Sequence, residues 1–268
     1  MNTLLDDRYV ETVTRLALGL EIIDAARGTR ISDPVRVAVE SPLTLSTIPR
    51  HDSCLHALIY SKAVTTPVTV RILSPDRHFV PRRIQLPIGT QADAAAGLLS
   101  APKRTWRPVL FPGAAYAISA SATGVRGRVV WEDDGTPVRF ARVVASYGDQ
   151  QIGLAHGDDR GEFLLVVGPD TVDGDDFELA DPPTLPVTLD LMLTIVAPNE
   201  KPAIDTSDPL SGLPVEVAAG PGLPDPVSVG EQLPDDYRNP GRVLAHAVTV
   251  PLGRITSVAA TPYEIPYP

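Results

Sequence analysis

The sequence predicts an all-β protein built as two β-sandwiches and a proline-rich C-terminal arm. Three observations predict it. Apolar residues recur with period two in short runs rich in Val, Ile and Leu, the alternation that lays one face of a strand on a core. Proline occurs 28 times in 268 residues, about twice ordinary usage. Proline breaks helix interiors and central strands, so a helical bundle is excluded and strands must be short and punctuated. Hydrophobic residues make up 43% against 21% charged, which suits a sizeable core and excludes a mostly disordered chain. The length fits one large domain or two ordinary ones. The expected division is an N-terminal sandwich over residues 1–120, a second sandwich over 121–197 and an arm over 198–268.

The first strand falls at 12–24, where Val13, Leu16, Leu18, Leu20, Ile22 and Ile23 alternate and then run together. Asp24 to Thr29 supplies turn chemistry, with Gly28 free to take positive φ. Residues 35–39 form a clean period-two strand, and 55–60, 68–73 and 79–86 read as three more. Pro67, Pro75, Pro81 and Pro87 stand between them, as suits strand ends and edges. Residues 91–99 carry the alanine triplet Ala94-Ala95-Ala96 and read as a short helix or a loop, limited by Gly97 and Pro102. The β pattern resumes at 109–111 and 116–120.

Residues 127–131 and 138–146 flank Asp134-Gly135, a tight-turn dipeptide, and are expected to pair as a hairpin. A second strand–turn–strand unit spans 154–167 with Gly161 at its turn. Val129, Phe140, Val143, Phe163 and Leu165 are the candidate core of this region. The pattern Gly127, Val129, Gly135, Pro137, Val138, Ala141, Val143, Asp158, Gly161 and Phe163 resembles that of the carboxypeptidase regulatory-like family, over about residues 125–167. The family's threonine before the aspartate is absent, and His156-Gly157 stands there. The resemblance implies an Ig-like or transthyretin-like sandwich serving as an accessory or binding module, and it supplies no catalytic residue. A weaker echo lies at Asp24 to Val37, either a diverged second copy or generic hairpin grammar.

Beyond residue 168 the chain turns acidic, and 185–197 follows as a long strand. Residues 198–240 are dense in proline, glycine and aspartate, with one short strand at 215–218. A strand at 243–250 is expected to dock within the chain. The tail at 261–268, with alternating prolines, is expected to reach outward to a neighbour.

The formal net charge is −10, which disfavours nucleic acid as a partner. The charge is unevenly spread: residues 158–238 hold 18 acids and 3 bases, a net of −15, and the remainder holds 20 bases and 15 acids, a net of +5. Arg71, Arg77, Arg82, Arg83, Lys103, Arg104 and Arg107 form a basic group. Such a split fits either a solvated mixed surface or a molecule that docks on unlike neighbours. Cys54 is the only cysteine, which excludes an intrachain disulfide and a cysteine-built zinc site. The acidic start Asp6-Asp7 lacks the pattern of a secretory signal, and no run approaches the roughly 18 apolar residues of a membrane helix. A cytoplasmic location without membrane insertion is expected.

No nucleophile elbow, metalloprotease motif, phosphate loop or dinucleotide fingerprint is present. His51 and His56 could meet near one strand end, but a lone strand histidine is usually a satisfied polar residue. Asp170, Asp173, Asp175, Asp176 and Glu178 could surround calcium, although their spacing fails the EF-hand pattern. Trp106 and Trp131 could stack on sugar if exposed. No catalytic, cofactor or metal residue is therefore assigned, and no cofactor is expected. The expected role is a non-enzymatic structural or adaptor part of a large cytoplasmically assembled particle, such as a phage tail or contractile injection system. Its expected partners are other protein subunits, further copies of itself included, and it could end in a virion or injection particle. The alternative is a carbohydrate- or protein-binding accessory module.

Overall fold

The computed structural model describes residues 14–40, 45–61, 64, 66–167, 188–205, 207–208, 210–220, 225–257 and 261–267. The architecture is all-β, as the period-two patterning predicts. In the N-terminal part, β1 (Leu16–Glu21), β5 (Leu55–Ile59) and β8 (Thr105–Trp106) form one sheet in the order β5-β1-β8. The facing sheet holds β3 (Arg36–Glu40), β4 (Leu45–Thr47), β6 (Val68–Leu73), β7 (Arg82–Leu86) and β15 (Val215–Val217), in the order β15-β7-β6-β3-β4. Short β2 (Ile23–Asp24) and β9 (Val109–Leu110) pair in parallel beside them. Leu18 and Leu20 of β1 meet Val70 and Ile72 of β6 and Ile84 of β7 in a closed core. Burial on β6 alternates strictly, as its Val-Thr-Val-Arg-Ile-Leu sequence requires.

The second sandwich sets β13 (Glu162–Val167) and β10 (Thr123–Trp131) against β12 (Gln150–His156), β11 (Arg142–Tyr147), β14 (Thr188–Val196) and β16 (Val243–Pro251). β17 (Ile255–Ser257) and β18 (Tyr263–Ile265) extend the first of these sheets, each pairing in parallel with β10. The core takes Val125, Val129 and Trp131 from β10 and Leu189, Leu191, Leu193 and Ile195 from β14. The named candidates Val129, Phe140, Val143, Phe163 and Leu165 are all buried. β13 serves both cores: Phe163, Leu165 and Val167 point into the second, and Leu164 joins the first.

The structure corrects several expectations. Residues 127–131 and 138–146 pair only beside the turn, where the Trp131 amide donates to the Thr136 carbonyl at 2.8 Å and the Val138 amide to the Val129 carbonyl at 3.0 Å; β11 itself lies in the opposite sheet from β10. The buried positions Val138 and Phe140 share one parity, whereas Ala141, Val143 and Ala145 share the other, so the strand must break between them. Phe140 sits at φ 59, and its amide donates to the Asp158 carbonyl at 3.0 Å. The unit at 154–167 is strand–turn–strand as expected, with β12 and β13 in different sheets. Gly161 takes φ 73 there, and a Cβ would lie 2.3 Å from the Val129 carbonyl oxygen, so the turn requires glycine. Residues 116–120 form no strand. The helix expected at 91–99 is confined to α1 (Gln91–Ala95), capped by the Thr90 hydroxyl and ended by Gly97 at φ 74.

The expected outward tail is also corrected. Tyr263 and Ile265 of β18 are 3% and 0% exposed and belong to the second core, with Glu264 outward between them. That alternation lay hidden between Pro262 and Pro266. Arg242 donates to the Pro266 carbonyl at 2.9 Å and lies 4.6 Å over the Tyr267 ring, on which Lys201 also stacks. β16 pairs with β14 along its full length, the internal docking expected for 243–250.

Candidate functional site: an open strand edge

Part of the charge split is met inside the molecule. Arg82 is fully buried on β7, because its position in the alternation points inward. Its guanidinium binds Glu216 of β15 through both carboxylate oxygens, and it donates to the carbonyls of Val109 at 2.7 Å, Ser228 at 3.2 Å and Val227. Arg142 of β11 reaches the same carboxylate at 3.3 Å and the Phe140 carbonyl at 2.9 Å. The Tyr237 hydroxyl donates to that carbonyl at 3.0 Å. One buried carboxylate thus holds an arginine from each sandwich. Backbone oxygens take four further donors of the pair, while Arg142 Nε has no hydrogen-bond partner among the described residues.

His156 lies beside this group, stacked 3.9 Å from Phe111, with Nε2 3.1 Å from the Gly230 carbonyl. Its Nε2 therefore carries the proton, and Nδ1 has no partner among the described residues. Burial above all, reinforced by the charges of Arg142 and Arg82, holds its pKa well below the ordinary histidine value. α2 (Pro226–Val229) roofs the group and is capped by Asp225, which accepts from the Val227 amide at 2.8 Å. Further out, Arg71 pairs with Asp208 at 2.6 Å and Arg77 with Asp159 at 3.0 Å. Asp159, Asp208 and Glu216 of the negative segment therefore meet bases of the positive part within one chain.

The other candidates are placed as follows. His56 is buried, whereas His51 is exposed and bonded to Ser53. Among the described residues no cluster of three or more His, Cys, Asp or Glu could hold a metal ion. Asp170, Asp173, Asp175, Asp176 and Glu178 lie outside the described residues. Trp106 and Trp131 are 4% and 2% exposed, so neither ring face is open for sugar stacking. A cavity of about 210 Å³ lies beside Ser74, Phe79 and Asp158, and one of about 230 Å³ beside Trp106 and Lys103. No helix among the described residues is long and apolar enough to cross a membrane.

One feature of the second sandwich stands open. Among the described residues, β16 ends its sheet in the order β12-β11-β14-β16. Its nine residues, Val-Leu-Ala-His-Ala-Val-Thr-Val-Pro, include no acidic residue, lysine or arginine, and its register with β14 is unbroken. The Ala197 amide donates to the Arg242 carbonyl at 3.0 Å, which fixes the phase of the antiparallel ladder. Leu244, His246, Val248 and Val250 therefore turn their backbone groups to β14. Val243, Ala245, Ala247 and Thr249 turn theirs away from the sheet, and all four side chains are exposed. The other sheet-edge strands among the described residues are shorter. Sequence reasoning located this strand but not its open side, because strand order depends on contacts remote in sequence.

No family model and no curated protein matches the chain. Among solved structures, a 9R-lipoxygenase from Cyanothece PCC8801 is similar at 11% identity and TM-score 0.24, over 57% of this chain and 18% of that one. The Bacillus anthracis TIE protein is similar at 9% identity and TM-score 0.24, over 93% of this chain and 34% of that one. A streptococcal ancillary pilin is similar at 9% identity and TM-score 0.22, over 93% of this chain and 62% of that one. The chain thus spans less than two thirds of each of these three proteins, and likenesses at these scores assign it no activity.

Proposed function

We propose that this protein is a non-enzymatic structural or adaptor subunit that joins an assembly by strand addition at the outer edge of β16. The observation that carries this reading is the row of outward backbone groups at Val243, Ala245, Ala247 and Thr249, on a strand with no formally charged side chain. Exposed strand edges are usually shortened, charged or covered, because they template pairing with other chains. Strand addition gives affinity through main-chain hydrogen bonds and places few demands on side chains. The finer reading is a part of a cytoplasmically assembled particle of the phage-tail or contractile-injection kind, with residues 125–167 as a carboxypeptidase regulatory-like sandwich. It rests on the sequence pattern and on fold-level analogy.

The test is Ala247→Pro. Ala247 turns its N–H away from β14, so proline there removes a docking donor while leaving the internal ladder whole. The variant should keep its melting midpoint and lose incorporation into the native complex, followed by sedimentation of lysates from the producing cells. Val248→Pro, which removes a donor to β14, should instead destabilise the fold. Undiminished incorporation of Ala247→Pro would refute strand addition at this edge.

A further inference from the structure

Resting on that reading, we infer that the occupant of the β16 edge is a second copy of this chain, paired antiparallel about a two-fold axis at His246. The register follows from which residues have outward backbone groups and a donor. Val243, Ala245, Ala247 and Thr249 have both, whereas Pro251 has no N–H. An axis at Ala247 would set Pro251 against Val243 and waste a bond. An axis at His246 sets Val243 against Thr249 and Ala245 against Ala247, so every outward donor and acceptor of the four finds a partner.

Side chains agree with this pairing on both faces. On the outer face, two small alanines meet and Val243 meets Thr249. On the inner face, Leu244 meets Val248, both partly buried residues at the rim of the second core. Aliphatic cross-strand pairs of this kind are favourable, whereas like charges directly opposite one another are destabilising. The strand has no acidic residue, lysine or arginine to place opposite its own copy, so self-pairing meets no such repulsion. The product is a closed two-fold dimer in which two four-stranded sheets become continuous, and closure leaves neither β16 edge open.

The experiment uses the full chain in sedimentation velocity across a wide concentration series, with two variants. The wild type should show a reversible monomer–dimer equilibrium, and Ala247→Pro should remain monomeric with an unchanged melt. His246 opposes itself at a non-hydrogen-bonded pair, where Cα atoms stand about 4.5 Å apart, within disulfide range. His246→Cys with Cys54→Ser should therefore form a disulfide-linked dimer under mild oxidation. Thr249→Cys in the same background, facing Val243 of the second copy, should not. A wild-type chain that stays monomeric throughout overturns the inference. So does a dimer that Ala247→Pro retains or that His246→Cys fails to cross-link. A monomeric chain whose Ala247→Pro variant still drops out of the native complex would overturn self-pairing alone. Loss of neither property would overturn both readings.

Discussion

Glu216→Gln removes one charge at the point where the two sandwiches are tied, and it keeps the side chain's shape. Glu216 is 1% exposed, and its partners Arg82 and Arg142 are 0% and 2% exposed. In the wild type one carboxylate faces two guanidinium charges, and the backbone oxygens of Val109, Val227, Ser228 and Phe140 take four further donors. The variant leaves both cations buried without a counter-charge. Breaking a buried ion pair from one side costs about 3–5 kcal/mol. For a chain of this size that corresponds to a fall of roughly 6–20 °C in melting midpoint. Asp208→Asn is the contrast, since it removes one of the two carboxylates on Arg71, at a side chain 31% exposed, and leaves Glu40 in place. It should cost less than about 1 kcal/mol. Urea unfolding of both variants, followed by tryptophan fluorescence of buried Trp106 and Trp131, measures the difference. Equal costs for the two variants would refute the claim that burial sets the value of these pairs.

Phe163→Ala should cost about 3–5 kcal/mol, because the ring is 2% exposed in the second core, and chemical denaturation measures it. Tyr263→Ala should cost a similar amount, about 3–5 kcal/mol. Tyr263→Phe should be neutral or stabilising, because the buried hydroxyl has no hydrogen-bond partner among the described residues. Deleting residues 261–268 should lower the melting midpoint of the isolated protein, since it removes β18 and the Tyr267 contacts with Arg242 and Lys201. His156 is held neutral in the folded state, so the unfolded chain takes up the extra proton on acidification. Its contribution is intact above about pH 6.5 and is lost below it by up to roughly 1.4 kcal/mol per pH unit, a slope that His156→Gln should flatten in melts across pH.

The strands of the first sandwich were legible because burial and sequence alternate together, as on β6, where Val68, Val70 and Ile72 are buried. The extent of the hairpin at 127–146 was not, because the turn dipeptide Asp134-Gly135 reports a change of direction and is silent on which sheet the strand enters beyond Val138. The parity change between Phe140 and Ala141 was the available signal, and it is visible in the sequence. The tail was misread because proline density at 261–268 outweighed a three-residue alternation, Tyr263-Glu264-Ile265. The buried group at Glu216 was illegible for another reason. Arg82 and Glu216 are 134 residues apart, and each sits on a short strand where a charged residue reads as solvent-facing.

These internal ties also decide where a partner can act. A chain with a net of −15 over one segment and +5 elsewhere invites docking on unlike neighbours. Yet Arg71, Arg77 and Arg82 are engaged by Asp208, Asp159 and Glu216 of the same chain. The backbone of 215–217 is taken up by β7, and that of 263–265 by β10. These two strands of the proline-rich arm are thus consumed in closing the fold. β16 is different: the strand is long, its ladder is regular, and small residues at Ala245 and Ala247 allow close approach from the open side. Charge, proline, a bulge or a cover is the usual protection of such an edge. Its proline stands only at the last position, and its outward side chains are exposed. Association through backbone pairing there, rather than through complementary charge, should accordingly be insensitive to salt. A dimer that dissociates steeply as ionic strength rises would show that the surface charges, and not the strand edge, hold the copies together.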